Sequence, residues 1–382
     1  MSGFDSQRGF GVYVHWPYCA RVCPYCDFNV YAAKARDTAP LLDAILKDLE
    51  GWRARTGERR ADAIFLGGGT PSLMTGAQVA NVIAKVGELW GLKPGAEITL
   101  EANPDDAARF ADFGAAGVNR LSLGLQSLDD ARLKFLGRTH DAAGALAALQ
   151  EARSKFRSVS IDLIYALPNQ TAADWRNELS RAVRLGADHL SLYELSIEPG
   201  AAFFQAVKRK NWSPLEDERA ADLYEITQEL ADAAGYPAYE ISNHARAPEH
   251  QSAHNRIYWS SGDWAAVGPG AHGRLTTGSE RLAIVAAEKP GEYLRQVAAN
   301  GLGWASVDAL DPLAQARERV SMGLRVIEGF AASDITELGL SLDAARLTDF
   351  AAAGLLTNVN GRIALTRSGR LMADRIAAEI SP

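Results

Sequence analysis

At 382 residues the chain is long enough for two domains, and 47% hydrophobic with 23% charged residues is the composition of a packed globular protein, which excludes wholesale disorder. With 40 basic against 47 acidic side chains, a formal charge of -7, it is not a nucleic-acid binder working by phosphate neutralisation. No apolar run approaches the roughly 20 residues of a spanning helix, and the polar opening stretch Met1–Gly9 lacks the apolar core of a signal peptide, so a cytoplasmic protein is expected.

Short β-rich runs alternate with helical stretches through the first two-thirds of the chain. Strands are predicted at Gly11–Trp16, Ala63–Gly67, Glu97–Glu101, Arg120–Gly124, Ser158–Ile164 and His189–Glu194. Between them lie helices, such as the one that carries Val79, Val82, Ile83, Val86, Leu89 and Trp90 on one face. Several strands are nearly continuous apolar runs, as in a parallel sheet covered on both sides. Six βα units fit a complete or partial β/α barrel or a doubly wound sheet, and periodicity alone does not choose.

From about Ala238 the rhythm breaks. A loop rich in His, Asn and Trp is predicted from Ser242 to Arg274, then an irregular connector from Thr276 to about Ala305. The tail reads as a separate unit, with helices Pro312–Ile327 and Asp343–Ala353. A hairpin follows, Leu356–Val359 and Arg362–Leu365, turned by Asn360-Gly361. A last helix is predicted at Ser368–Glu379, which makes the tail winged-helix-like. Its 8 Arg, no Lys and 10 acidic residues from Ser306 onward favour a structural or interaction role over DNA binding. The expected division is 1–275, a connector 276–305, and 306–382.

The chemistry concentrates in three places. All 3 cysteines lie in Cys19-Ala-Arg-Val-Cys23-Pro-Tyr-Cys26, directly after the first strand, which is no disulfide framework. Three thiolates on one loop suit an iron–sulfur cluster with one open iron; a zinc site completed by His15 or a later histidine, or plain structural thiols, are the alternatives. Next, Gly67-Gly68-Gly69-Thr70-Pro71 ends the second strand, where glycines let backbone amides approach a polar ligand; a tight turn before a helix reads equally well. Later strands end in polar groups: Glu101 and Asn103, Gln126, and the internal Asp162, with Arg138 in Leu136-Gly-Arg138. An acid in an apolar strand is costly unpaired, so Asp162 should face a ligand or pair with Arg120 or Arg138. Gln126 is either a loop hydrogen-bonding residue or a ligand contact. Finally, His244, His250, His254 and His272 cluster near Tyr258, Trp259 and Trp264. His254-Asn-Arg-Ile-Tyr258-Trp259 combines a haem-ligand type with stacking rings; surface histidines among core aromatics are the alternative.

Taken together the motifs resemble the radical S-adenosylmethionine (SAM) superfamily: Tyr13-Val-His15-Trp-Pro17-Tyr-Cys19 with CxxxCxxC, then GGGTPS at Gly67–Ser72. Glu101-Ala-Asn-Pro, Asn119-Arg-Leu-Ser-Leu-Gly-Leu-Gln126-Ser, Leu136-Gly-Arg138 and Asp162-Leu-Ile-Tyr-Ala-Leu-Pro narrow the resemblance. They match the branch of oxygen-independent coproporphyrinogen III oxidases and related haem chaperones, over about residues 10–275, and the tail resembles that branch's accessory C-terminal domain. The resemblance implies a partial (β/α)6 barrel and a [4Fe–4S] cluster on Cys19, Cys23 and Cys26, its open iron chelated by SAM. Tyr13 and Tyr25 would lie near cluster and SAM. Gly68, Gly69 and Thr70 would hold the amino-acid end of SAM, with Glu101 nearby. Gln126, Arg138 and Asp162 match positions that bind a second SAM in the oxidase. One electron from the cluster would cleave SAM to methionine and a 5′-deoxyadenosyl radical.

Two departures separate oxidase from chaperone. The oxidases show CxxxCxxCxC, whereas Phe28 stands two residues after Cys26, and their longer N-terminal arm is here about ten residues. His254–Trp259 instead fits the HNxxYW pattern associated with haem in the chaperones. The resemblance thus implies a haem chaperone with haem, SAM and cluster as cofactors, and no catalytic residue is assigned. His254 would bind the iron from a glycine-flanked loop that an acceptor can reach. The implied partners are an acceptor haemoprotein, such as a respiratory one, and an electron donor, with no nucleic acid and at most peripheral membrane contact. The rival readings are oxidative decarboxylation of coproporphyrinogen III, and a SAM-binding relative with no haem role.

Overall fold

The computed structural model describes residues 8–33 and 37–382, so most of the polar opening stretch lies outside the described residues. Each apolar run becomes a strand: β1 Phe10–Trp16, β2 Ala61–Gly68, β3 Leu92–Ala102, β4 Arg120–Gln126, β5 Ser158–Tyr165 and β6 His189–Glu194. They pair in parallel and in sequence order. Helices Ala39–Thr56, Gly76–Trp90, Phe110–Ala116, Ala142–Lys155, Ala172–Ala182 and Asp217–Ala233 follow them in turn. Gly76–Trp90 shows why they form. Thr75 and Gln78 make a capping box at its start, and Val79, Val82, Ile83, Val86 and Trp90 are buried along one face.

The sheet stays open, which makes this a partial barrel. Its full order is β11-β10-β9-β8-β1-β2-β3-β4-β5-β6-β7, with β7 Asn243–Ala245, β8 Asp263–Val267, β9 His272–Thr277, β10 Glu280–Ala286 and β11 Trp304–Leu310. β8 runs parallel to β1, while β7 and β9 to β11 are antiparallel to their neighbours. Two expectations are corrected here. The stretch from Ser242 to Arg274 is not a loop, since it holds β7, β8 and a helix at Ala253–Trp259. Nor is 276–305 irregular: it forms β10, helix Pro290–Asn300 and the start of β11.

Long-range polar contacts hold this extension in place. Asp263 accepts hydrogen bonds from Arg59, Thr276 and Arg281. Asp48, on the first helix, accepts from Tyr293 Oη at 2.7 Å and Gly303 N at 3.1 Å, and Tyr293 Oη accepts in turn from Gly268 N.

The tail has its own core, built around Val320, Leu324, Ile335, Ile363, Ile376 and Ile380. Helix Pro312–Gly323 ends four residues earlier than expected, and helix Ala344–Ala352 agrees with its pattern. The hairpin strands fall at Leu356–Val359 and Arg362–Leu365, with Asn360 and Gly361 both at positive φ as a type I′ turn requires. Phe330–Ala331 adds a third strand. The expected last helix is split into Arg367–Arg370 and Ala373–Ile380. Among the described residues no helix is long and apolar enough to cross a membrane.

Burial raises Asp48 from 3.8 to about 7, against the opposing hydrogen bonds from Tyr293 and Gly303. A carboxyl that holds its proton more tightly when folded loses stability as pH rises between those two values, because the native state then binds the extra proton. Urea denaturation should therefore show the stability of wild type relative to Asp48→Asn falling from pH 4 to pH 7 and levelling above it. A difference independent of pH would contradict this.

Candidate functional site

The site is assembled at the carboxyl ends of the parallel strands, where open α/β sheets place ligands. After β1 the chain turns through Tyr18–Cys19, which pairs with Tyr31–Ala32, so the cysteine loop returns to its own base. Gly69 N donates to Trp16 O at 2.7 Å and Thr70 N to Tyr18 O at 2.9 Å, joining the glycine run to the root of that loop. The glycines are needed sterically. A Cβ on Gly67 would lie 2.7 Å from the Phe65 ring, and on Gly69 it would lie 2.8 Å from Trp16 O and 3.0 Å from Cys19 Sγ. Gly68, at φ +103°, has the His15 ring 2.6 Å from where a Cβ would stand.

A cavity of about 500 Å³ opens above these elements and runs down into the barrel. Cys19, Cys23, Cys26, Tyr25, Gly68, Gly69, Thr70, Glu101, Gln126, Arg138 and Asp162 all line it. Tyr13 and His254 do not belong to that lining. Tyr13 Oη instead meets His15 Nδ1 at 2.9 Å. Cys19 is buried and the other two thiols half-buried; burial raises Cys19 and pushes Cys26 up to about 11. Among the described residues no three His, Cys, Asp or Glu side chains close on one point as a cage for a single ion. His15, the fourth ligand of the zinc alternative, has its other nitrogen, Nε2, 2.9 Å from Asn29 O.

Glu101 is half-buried and accepts from Gly68 N at 3.2 Å; desolvation and the neighbouring Asp162 raise it to about 8. Asp162 is held by Ser122 and Ser160, each at 3.1 Å, and burial raises it as well. Among the described residues neither arginine offered as its partner forms an ion pair with it, although the Arg120 charge favours its ionised form. Arg120 lies 3.7 Å from Glu97, and Arg138 donates to Asn103 Oδ1, to Gly124 O at 3.1 Å and to Cys23 Sγ at 3.3 Å. Gln126 adopts φ +65° at a register shift in β4, a conformation uncommon for a residue with a side chain.

Several lining residues were missed by the sequence reading: Ser122, Ser191, Tyr193 and His189. Their signal was the period of two. Arg120, Ser122, Gly124 and Gln126 alternate along β4, and His189, Ser191 and Tyr193 along β6, so polar residues recur on the inner face.

His254 requires a correction. It lies on helix Ala253–Trp259, buried at 2% exposure, and not on a reachable loop. Its ring stacks on Phe65 at 4.7 Å and meets Tyr258 at 4.4 Å, and neither ring nitrogen has a hydrogen-bond partner among the described residues. Burial, with Arg120 nearby, lowers it to about 3, so the imidazole is neutral. Of the other clustered histidines, His244 is buried, His250 half-buried and His272 exposed.

A profile described as the radical SAM superfamily matches residues 13–182, and one described as the HemN C-terminal domain matches 310–372. The mitochondrial radical S-adenosyl methionine domain-containing protein 1 of Bos taurus is 41% identical, over 85% of this chain and 74% of its own. Heme chaperone HemW of Bacillus subtilis is 32% identical over 95% and 97%, and that of Mycobacterium tuberculosis 36% over 96% and 93%. The chain belongs to the radical SAM superfamily. The solved structure of the radical SAM enzyme coproporphyrinogen III oxidase (HemN) from Escherichia coli shares its fold, at TM-score 0.83 over 98% of this chain and 91% of that one, with 24% identity.

Radical SAM membership implies a [4Fe–4S] cluster and SAM, and the cavity fits both. Three soft thiol donors line one wall. The half-buried carboxyl of Glu101 has no ion-pair partner among the described residues and stands beside the bare glycine backbone, which suits the ammonium of an amino-acid ligand. Cys23→Ser is expected to abolish the brown visible absorbance of the anaerobically reconstituted protein. Four irons per chain retained in that variant would remove Cys23 as a ligand.

Proposed function

We propose that this radical SAM protein is a haem chaperone, which binds haem and passes it to an acceptor haemoprotein in the cytoplasm. The observation that carries the reading is the extent of the likeness to proteins named heme chaperone HemW, 93% to 97% of whose length this chain covers. Phe28 supports it: 60% exposed at the cavity, it stands where the oxidase pattern has a further cysteine. Cys19, Cys23 and Cys26 hold the cluster in this reading, and Gly68, Gly69, Thr70 and Glu101 hold the amino-acid end of SAM. When bound, cluster and SAM supply a one-electron cleavage of the sulfonium. The chain's part is to orient that ligand and exclude water. Arg138 fixes Cys23 and the Asn103 amide together, and Tyr25 closes the same side.

His254 is the proposed haem-iron ligand. A neutral imidazole with two unpartnered nitrogens is the ligating form, and its burial means that the short helix must move for iron to reach it. His254→Ala is expected to weaken haem binding in a Soret titration while the cluster absorbance stays intact. An unchanged titration would assign the iron to another residue.

The oxidase reading keeps one observation on its side, the presence of Gln126, Arg138 and Asp162 in the cavity. An anaerobic assay with SAM, a reductant and coproporphyrinogen III separates the two. The chaperone reading expects 5′-deoxyadenosine without decarboxylated porphyrin, whereas protoporphyrinogen formed over several turnovers would make the protein an oxidase.

A further inference from the structure

The polar contacts that hold helix Ala253–Trp259 against the barrel are made by its backbone and not by the imidazole of His254. Neither ring nitrogen of His254 has a hydrogen-bond partner among the described residues, whereas each amide at the helix start has one. Asn255 N donates to Ser252 Oγ, a bond that travels with the segment itself. Ala253 N and His254 N donate to Glu97 on β3, and Ser252 N donates to Tyr239 Oη at 3.1 Å. These three bonds attach the helix to its surroundings. Seven residues make few hydrogen bonds of their own, so the position of the helix depends on such attachments.

Tyr239 is the fixed side of this attachment. It is buried, its N donates to Asn243 O at 3.1 Å, and its O accepts from Ile327 N at 3.2 Å. A backbone N–H only donates, so Tyr239 Oη accepts from Ser252 and gives its own proton to its other neighbour, His189 Nε2, at 2.9 Å. Burial lowers His189 well below the usual histidine range, so the ring is neutral and carries one N–H, on Nδ1. That N–H donates to Ser160 Oγ at 2.8 Å, and Ser160 Oγ donates to Asp162 Oδ1 at 3.1 Å. The bonds run in one direction, from the helix start to the cavity wall, and every donor along them has an acceptor. Aligned bonds of this kind strengthen one another, and they leave the Tyr239 hydroxyl oriented to receive Ser252 N.

Resting on the reading of His254 as the haem-iron ligand, we propose that Tyr239 is a positioning residue for haem binding: with Glu97 it latches the helix shut, and the latch must release before His254 meets iron. In the closed protein the Ser252 amide is buried and depends on the Tyr239 hydroxyl for its acceptor. Once the helix is released, the same amide meets water. Removing the hydroxyl therefore costs the closed form and not the open one, and it raises the population from which haem binds. The effect falls on association, because the haem-bound form no longer uses the latch. Loss of an ordinary binding contact shows mainly in dissociation instead.

The test mixes haem with the full-length reconstituted protein under stopped flow, follows the Soret band, and then measures dissociation into excess apomyoglobin. Tyr239→Phe should bind haem about fivefold faster than wild type, the worth of one hydrogen bond, with its dissociation rate unchanged. Hydrogen exchange of segment 252–259 should quicken in that variant while the rest of the chain keeps its wild-type protection, which also shows that the variant folds. Adding His254→Ala should erase the gain. Glu97→Gln, which can accept from only one of its two amides, should move the association rate in the same direction, and takes the place of Tyr239→Phe if that variant does not fold. An unchanged or slower association, a gain that persists without His254, or a change confined to dissociation would overturn the latch and leave the haem-chaperone reading standing. Haem bound by neither wild type nor variant would overturn that reading, and the latch with it.

Discussion

Two backbone hydrogen bonds, Gly69 N to Trp16 O and Thr70 N to Tyr18 O, fix the distance between the first two strand ends. They form because three successive residues there carry no side chain, which brings the glycine run against the Cys19 thiol and the His15 ring. His15 then continues the connection. One of its nitrogens meets Tyr13 Oη inside the barrel, and the other meets Asn29 O on the returning limb of the cysteine loop. Asn29 donates to Pro269 O and Glu288 O, in the extension beyond β8. The cysteine loop is thereby held from the glycine run, from the barrel interior and from the sheet extension, and displacement of any one would loosen the other two.

The same geometry sets the electrostatics of the cavity. Glu101 and Asp162 are both half-buried and, among the described residues, have no salt bridge; the Asp162 charge adds to the cost of ionising Glu101, while Arg120 lessens that of Asp162. His189, below them, is pushed well down by burial and hydrogen-bonds to Ser160 and to Tyr239. By itself such a cavity favours the protonated form of Glu101 and the neutral imidazole of His189, since poorly solvated charge is expensive. A guest bearing positive charge reverses that balance locally, and Glu101 is placed to respond because it already accepts from Gly68 N.

Much of this was legible in the sequence because it depends on local pattern. Apolar runs such as Ile64-Phe65-Leu66 need cover on both faces whatever surrounds them, and all six became strands. The Asn360-Gly361 turn requires two positive φ values that few other pairs tolerate, so the hairpin fell where it was placed. What was not legible depends on contacts far along the chain. β8 is five residues long and exists because β1 pairs with it across more than 240 positions. Gly323 ends its helix against Phe330, a contact that the local pattern does not show: a Cβ there would be 2.6 Å from Phe330 Cβ.

The helix that carries His254 shows this limit most clearly. Seven residues are too few for periodicity to declare a helix, and Ser252 caps only Asn255 N. The remaining first-turn amides are satisfied from 156 residues away, where Glu97 on β3 accepts from Ala253 N at 3.1 Å and from His254 N at 3.3 Å. Glu97 lies beside Arg120, which lines the cavity at the strand ends. One buried carboxylate therefore touches the start of the histidine helix and the guanidinium at the cavity wall. Asn255 on that helix and its cap Ser252 line the same cavity. Phe65, which lines the cavity, stacks directly on the His254 ring at 4.7 Å, so the cavity and the buried imidazole are in contact through one side chain as well as through Glu97 and Arg120.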